Sequence, residues 1–263
     1  MTDLTFEDVS IRYGSRRSDP EAVSGVRLKV PSGSTVGLVG ESGSGKSSLA
    51  RAAAGLVPIS TGQILCGETL ISKGGRRRTR PNPVVQMVFQ DASAALNPRM
   101  TIGESLLEAV SATPSISSRG RRAEVDRLLG LVHLHPEHGK RLPREMSGGQ
   151  RQRAALARSI GARPEVIIAD EVTSALDVSV QGAILNLLRE LQDSMNLTML
   201  FISHNLAAVR YVSDHIVVMQ GGRMVDEGPA ETLLTTSPVP YTRSLVGAVL
   251  SVPRTPRIPT FAP

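Results

Sequence analysis

The chain has 263 residues, of which 40% are hydrophobic and 21% charged, and a formal net charge of +6. That composition supports a sizeable core and argues against general disorder, and the length fits one large α/β domain or a nucleotide-binding domain carrying a helical insert. No run approaches 18 consecutive apolar residues, so no segment reads as a bilayer-spanning helix, and the single cysteine, Cys66, excludes an internal disulfide.

Residues 1 to 10 carry Asp3, Glu7 and Asp8 without a basic stretch and do not read as a secretory signal. Residues 4 to 12 alternate apolar and polar, which predicts a strand, with a loop after Tyr13-Gly14. Val36 to Val39 predicts a short strand ending on a Gly-rich turn, and Ser47 to Leu56 a helix. The basic run Arg76-Arg77-Arg78-x-Arg80 reads as a solvated loop. With few aromatics beside it, it offers no stacking platform for nucleic acid. Residues 84 to 89 predict another strand, and Ala92 to Ile160 a helical stretch with loops and a Ser-rich break at 111 to 119. Val166 to Ala169 reads as a buried strand. Val178 to Gln192 is an amphipathic helix with Val180, Ile184, Leu187, Leu188 and Leu191 on one face. Met199 to Ile202 predicts a further strand, residues 216 to 228 a hairpin around Gly221-Gly222, and the proline-containing tail from Thr255 an irregular end. The whole is an α/β core interrupted by a helical insertion.

The sharpest motif is Gly40-Glu41-Ser42-Gly43-Ser44-Gly45-Lys46-Ser47, followed by Ser48. It matches the phosphate-loop pattern G-x-x-x-x-G-K-[ST], and it follows a strand and opens a helix as that motif requires. Glycines let the backbone wrap so that N–H groups face phosphate oxygens, and the helix start adds its positive dipole end. Lys46 places a cation on β- and γ-phosphates, and the Ser47 hydroxyl can ligate Mg²⁺. A second signal is the strand Val166 to Ala169 ending in Asp170-Glu171. Behind a phosphate loop, Asp170 suits the Mg²⁺ hydration shell and Glu171 suits proton acceptance from an attacking water.

Met146-Ser147-Gly148-Gly149-Gln150 resembles the signature peptide of ATP-binding-cassette proteins, whose first residue is usually Leu. A plain helix N-cap at Ser147 would explain that peptide alone; the companions that occur in the family's order favour the resemblance. Tyr13 resembles the aromatic residue that stacks on adenine, and Gln90 the glutamine that touches Mg²⁺ and water and faces the membrane subunits. Ser174-Ala175-Leu176-Asp177 resembles the loop at the dimer interface, and His204 the histidine that contacts the γ-phosphate. Ser48 for the common Thr and Val172 for the common Pro are departures, and Val172 leaves the backbone setting of Glu171 open.

The resemblance implies a P-loop NTPase core of this ATPase type over residues 1–230, with an N-terminal antiparallel β subdomain and a helical insertion near 92–160. It implies Mg²⁺ with ATP, held by Ser47, Gln90 and Asp170, and catalysis by Glu171, His204 and Gln90. It also implies that Ser147 to Gln150 complete a site on a second subunit. Three stretches resemble the peptide and nickel importer branch. They are Ala95-Leu96-Asn97-Pro98-Arg99-Met100-Thr101 after Phe89-Gln90-Asp91, then Ser174 to Gln181, then Pro240-Tyr241-Thr242-Arg243-Ser244-Leu245 in an extension over 231–263. The implied partners are transmembrane permeases, a second ATPase subunit, preferably a non-identical paralogue rather than an identical copy, and indirectly an external solute-binding protein. The implied place is the cytoplasmic face of a bacterial plasma membrane. An exporter ATPase would share every catalytic residue. A DNA-repair or chromosome-organising ATPase would need long coiled coils or zinc modules, and a translation-type protein a second cassette. Neither is present, so nucleic acid is not an expected partner. His133-x-His135-x-x-His138 suggests a metal site, but Pro136 inside it points to a loop rather than one helix face.

Overall fold

Strand β3 (Thr35–Val39) is buried at all five positions and sits inside a six-stranded sheet, hydrogen-bonded on both sides to parallel neighbours. An uninterrupted apolar strand needs both of its faces covered, which a central parallel position supplies. This computed structural model describes residues 2–14, 19–75, 82–91, 95–112 and 116–250. The six strands lie in the order β10 (Arg223–Pro229), β9 (His215–Gln220), β3, β8 (Thr198–Ile202), β7 (Val166–Asp170), β6 (Val85–Val88). All pairings are parallel except β9 with β10. A second, antiparallel sheet has the order β2 (Glu21–Val30), β1 (Leu4–Arg12), β4 (Thr61–Cys66), β5 (Thr69–Lys73).

The parallel sheet divides the core. Val39, Val88, Ile167, Ala169, Met199, Phe201, Ile216 and Val218 face one apolar cluster, which also holds the helices of the insertion. Val36, Leu38, Val85, Met87, Val166, Ile168, Leu200, Ile202, Val217 and Met219 face the other, shared with β1, β2, β4 and helix α1 (Lys46–Ala53). The alternation follows the two-residue period of strands. Cys66 is buried on β4, and burial pushes its thiol up to about 12, so it stays protonated.

The helical stretch contains α2 (Ile102–Ser111), α3 (Arg121–Leu131) and α4 (Gly148–Gly161), which pack on one another. Thr101 caps α2 through a capping box with Glu104, and the Asn97 side chain accepts from the Arg99 amide at 3.0 Å. Asn97 to Met100 therefore form the turn that leads into α2. A 3₁₀ turn at Pro136–Lys140 approaches α2 so closely that a Cβ on Gly103 would lie 2.8 Å from the Gly139 carbonyl oxygen.

The predicted strands and the long amphipathic helix match β1, β3, β6, β7, β8 and α5 (Val178–Met195) within a few residues. On α5, Ile184, Leu187, Leu188 and Leu191 are buried and Val180 is half-buried. The hairpin turns at Gly221 and Gly222, with φ of 54° and 80°, the two positive values a type I′ turn requires. The helix expected to run to Leu56 stops at Ala53. Gly55, at φ 70°, donates to Ala52 O, and Leu56 N donates to Arg51 O, the paired bonds of a Schellman stop. Two further helices, α6 (Leu206–Val212) and α7 (Leu233–Thr236), precede α8 (Pro240–Leu250). The Arg76 to Arg80 run and the tail from Thr255 lie outside the described residues. Among the described residues, no helix is long and apolar enough to cross a membrane.

Candidate functional site

The C-terminal ends of β3, β7 and β8 open on one edge of the parallel sheet, where α/β proteins gather their ligands. β3 leads into the loop Gly40 to Ser47, β7 ends at Asp170 and Glu171, and β8 leads to His204. The registers align Asp170 with Ile202 and Leu38 with Ile202, so the three strand ends are level.

The loop has two positions that only glycine fills. Gly45, at φ 103°, would carry a Cβ 2.5 Å from the Ala22 carbonyl oxygen. Gly40 would carry one 2.2 Å from the Met219 carbonyl oxygen. The wrapped loop and Glu171 border a depression of about 290 Å³ lined by Ala22, Ser42, Gly43, Gly45, Lys46, Ser47, Ser48 and Glu171. A larger depression of about 600 Å³ is lined by residues of β1 and β2 together with His215 and Glu227 of β9 and β10, and it presents the Asp8–Arg27 ion pair.

Lys46 is 6% exposed, and its ammonium donates to Gly40 O (2.9 Å), Glu41 O (2.7 Å) and Ser44 Oγ (3.1 Å). Burial holds it below the ordinary lysine range, while the carboxylates of Glu171, Asp170 and Glu41 oppose that shift. The Ser47 hydroxyl lies 3.2 Å from Asp170 Oδ1. Burial pushes the Asp170 carboxyl above its ordinary range, and the neighbouring Glu171 adds to the rise. The Ser47 hydrogen bond and the charges of Arg51 and Lys46 work the other way.

Glu171 has φ 50°, an uncommon left-handed setting for a residue with a side chain. Its amide donates to Ile202 O at 2.9 Å, and its carbonyl accepts from both the amide (3.1 Å) and the hydroxyl (2.9 Å) of Ser174. Val172 behind it is buried. The backbone setting left open by Val172 is therefore fixed on three sides, which lets the strain persist. His204 Nδ1 lies 3.5 Å from Glu171 Oε1.

Gln90 follows β6 at the same sheet edge and is exposed, and no hydrogen bond joins it to Ser47 or Asp170. Tyr13 is half exposed rather than a core aromatic, and its hydroxyl is 3.0 Å from Ser48 Oγ, so its ring stands beside the first turn of α1. Two neighbours of the loop escaped the sequence reading. Gly222 N donates to Ser44 O at 3.1 Å, and the Glu41 amide donates to Tyr241 Oη at 3.2 Å. The motif around Tyr241 was visible, but nothing in it names a partner some 200 residues away.

Ser147 to Gln150 do not line the depression of their own chain's loop. Ser147 is the N-cap of α4: its hydroxyl accepts from Gln150 N at 3.3 Å, and Gln150 Oε1 accepts from Ser147 N at 2.9 Å. A Cβ on Gly149 would stand 2.6 Å from Val180 Cγ1, and one on Gly148 3.5 Å from Leu176 Cδ2. The Ser174 to Asp177 loop and the Ser147 to Gln150 peptide thus pack together at the surface. Ala175 and Asp177 are exposed, and the Asp177 side chain makes no capping bond to α5 although it occupies the N-cap position.

The three histidines between α3 and α4 are separately engaged. His133 pairs with Glu190 at 3.1 Å. His135 Nδ1 lies 3.3 Å from the Glu137 amide. His138 has Nδ1 3.1 Å from His135 O and Nε2 3.2 Å from Gln150 Nε2.

The model of the ABC transporter family matches residues 23–174, more than half of the chain. The di/tripeptide transport ATP-binding protein DppF of Pseudomonas aeruginosa is 42% identical over 267 residues, covering 98% of this chain and 82% of that protein. The oligopeptide transport ATP-binding protein OppF of Bacillus subtilis is 42% identical over 249 residues, covering 94% of this chain and 82% of that protein. Among solved structures, the ATP-binding cassette MJ0796, described as a dimer in a post-hydrolysis state bound to ADP and Pi, shares the fold with a TM-score of 0.73. It is 24% identical, with 86% of this chain and 98% of that chain covered. The chain belongs to the ABC transporter family and is an ATP-hydrolysing cassette of it.

Proposed function

We propose that this ATPase powers the import of di- and oligopeptides through transmembrane permeases, working at the cytoplasmic face of the membrane. The observation that carries the catalytic part is the meeting of the Ser47 hydroxyl and the Asp170 carboxylate at 3.2 Å, beside the buried Lys46 and Glu171. The names of the Pseudomonas aeruginosa and Bacillus subtilis relatives, both peptide transport ATP-binding proteins at 42% identity, support peptide over nickel as cargo.

In this reading the Gly40 to Ser47 backbone amides and Lys46 bind the β- and γ-phosphates of ATP, with Ser48 next in line and adenine against the exposed face of Tyr13. Ser47 and Asp170 are hard oxygen donors that suit Mg²⁺, which is commonly held by one or two carboxylates together with substrate phosphates rather than by a full protein cage. Bound Mg²⁺ would neutralise phosphate charge and polarise the γ-phosphoryl oxygens. Gln90 would reach toward the same edge and couple it to the permeases. Glu171 takes the proton of the attacking water, and His204 steadies the γ-phosphate.

Ser147 to Gln150 present a hydroxyl and helix-start amides at the surface, away from their own loop, and complete the site of a second ATPase subunit. The Ser174 to Asp177 loop beside them contacts that subunit. The partner is a non-identical paralogue in preference to a second copy. The test is reconstitution of the chain with its partner ATPase and permeases in proteoliposomes, supplied with a peptide-binding protein. ATP-dependent peptide uptake that vanishes with Lys46→Ala is expected; ATP hydrolysis that no peptide-loaded binding protein stimulates, with no uptake, overturns the peptide assignment.

A further inference from the structure

We propose that Tyr241 is a positioning residue for the phosphate loop, through which the C-terminal extension sets the loop's nucleotide affinity. The inference rests on the reading of Gly40 to Ser47 as a phosphate site and adds a control on that site from outside it. The Tyr241 hydroxyl accepts from the Glu41 amide at 3.2 Å, across 200 positions of sequence. That N–H belongs to the same peptide group as the Gly40 carbonyl, which accepts from the Lys46 ammonium at 2.9 Å. A peptide plane has one orientation: if its N–H points to Tyr241, its carbonyl points to Lys46. Glycine at position 40 removes the Cβ on one side of this peptide, so only the Glu41 side resists its rotation. A flipped peptide would turn its N–H toward the lysine and withdraw one of the three acceptors that hold the ammonium.

The hydroxyl is itself held in place. Tyr241 packs its ring against the cluster that contains the helices. Thr242, 1% exposed, donates its hydroxyl to Asp226 Oδ2 on β10 at 2.6 Å. Ser237 donates to the same oxygen, and its own hydroxyl oxygen accepts from Val239 N at 3.1 Å. The start of α8 is therefore tied to the sheet before it reaches the loop. The same hairpin grips the loop a second time, from Gly222 N to Ser44 O. One acidic side chain on β10 thus fixes the helix that orients the first peptide of the loop.

The experiment uses the full chain and sodium tripolyphosphate with Mg²⁺, a probe that carries the phosphates without the base, followed by calorimetry. Tyr241→Phe keeps the ring and removes the acceptor. Affinity for tripolyphosphate and for ATP should fall by the same factor, about three- to tenfold, the scale of one hydrogen bond. Hydrogen exchange at the Glu41 amide should accelerate, and in the assembled transporter KM for ATP should rise by more than kcat falls. Thr242→Val, which leaves Tyr241 and the loop intact, should weaken tripolyphosphate in the same direction. It should add little to Tyr241→Phe, because both act on one tether. If Tyr241→Phe does not fold, Thr242→Val alone carries the test. Wild-type tripolyphosphate affinity in a folded variant, or unchanged exchange at Glu41, overturns the proposal even if the melting temperature drops. Failure of the wild-type chain to bind tripolyphosphate more tightly than Lys46→Ala overturns the phosphate-loop reading, and this proposal with it.

Discussion

His204 Nδ1 faces Glu171 Oε1 at 3.5 Å, with the two residues standing just beyond the ends of adjacent parallel strands. The carboxylate belongs to a residue held at φ 50° by hydrogen bonds from its own amide and to its own carbonyl, so the backbone fixes where its side chain departs from the chain.

Glu171→Gln should therefore keep ATP affinity and lose turnover by at least about a hundredfold, the low end for removal of a general base. The amide preserves size and backbone demands but cannot take a proton. ATP hydrolysis and sedimentation with Mg-ATP check it: a trapped, closed dimer is expected, and near-normal hydrolysis would remove Glu171 from the base role.

Asp170 offers a pH-dependent prediction. Its carboxyl sits above the ordinary value of 3.8 because it is buried. Between 3.8 and the raised value the folded chain binds more protons than the unfolded one, so stability falls as pH rises through that window. At neutral pH the ionised side chain is a net cost. Nucleotide-free Asp170→Asn should melt no lower than the wild type at pH 7, and any advantage should shrink as the pH falls toward 3.8. Thermal melts across that range check this. An Asn variant markedly less stable at neutral pH would show that the Ser47 bond and the nearby cations outweigh burial.

Tyr13→Ala should weaken adenine nucleotides by about 1 kcal/mol, the scale of an aromatic stacking contact. Inorganic tripolyphosphate should be much less affected. Equal losses for the two ligands would leave Tyr13 with no role in holding the base.

Sharing of sites between subunits can be tested by mixing two inactive variants of this chain, Ser147→Arg and Lys46→Ala. In a mixed pair of identical chains, the loop of the first faces the intact signature peptide of the second, so one site survives. Recovered hydrolysis would show functional self-pairing and count against the need for a distinct partner. No recovery where dimers demonstrably form would contradict the shared site.

The loop was legible in the sequence as a tight glycine-rich turn between a strand and a helix because its residues are contiguous. The strands carrying it were legible because a buried parallel strand is a plain apolar run, as at Val166 to Asp170. β2 was not, although it has ten residues. Ser24-Gly25 breaks its alternation: Gly25 takes φ 58°, and the pairing with β1 slips between Val9–Val26 and Ile11–Val23. A bulge of this kind erases the two-residue period that identifies a strand. The contacts of Tyr241 and Gly222 with the loop were equally hidden, since they depend on how distant segments meet. Helix α1 was misjudged at its end only, where Gly55 supplied a stop that the apolar pattern ran past.

Division of the core by the six-stranded sheet bears on how much mutation the chain can absorb. Leu49, under the phosphate loop, and Leu156, on α4, are both fully buried but belong to different clusters. Truncating either to alanine should cost about 2–5 kcal/mol, and losses at sites that share no neighbours add. A domain with a typical stability of about 5–15 kcal/mol survives one such loss and can be unfolded by two. Sequence drift on one side of the sheet is thus limited by what has already been lost on the other, although the two leucines belong to separate clusters.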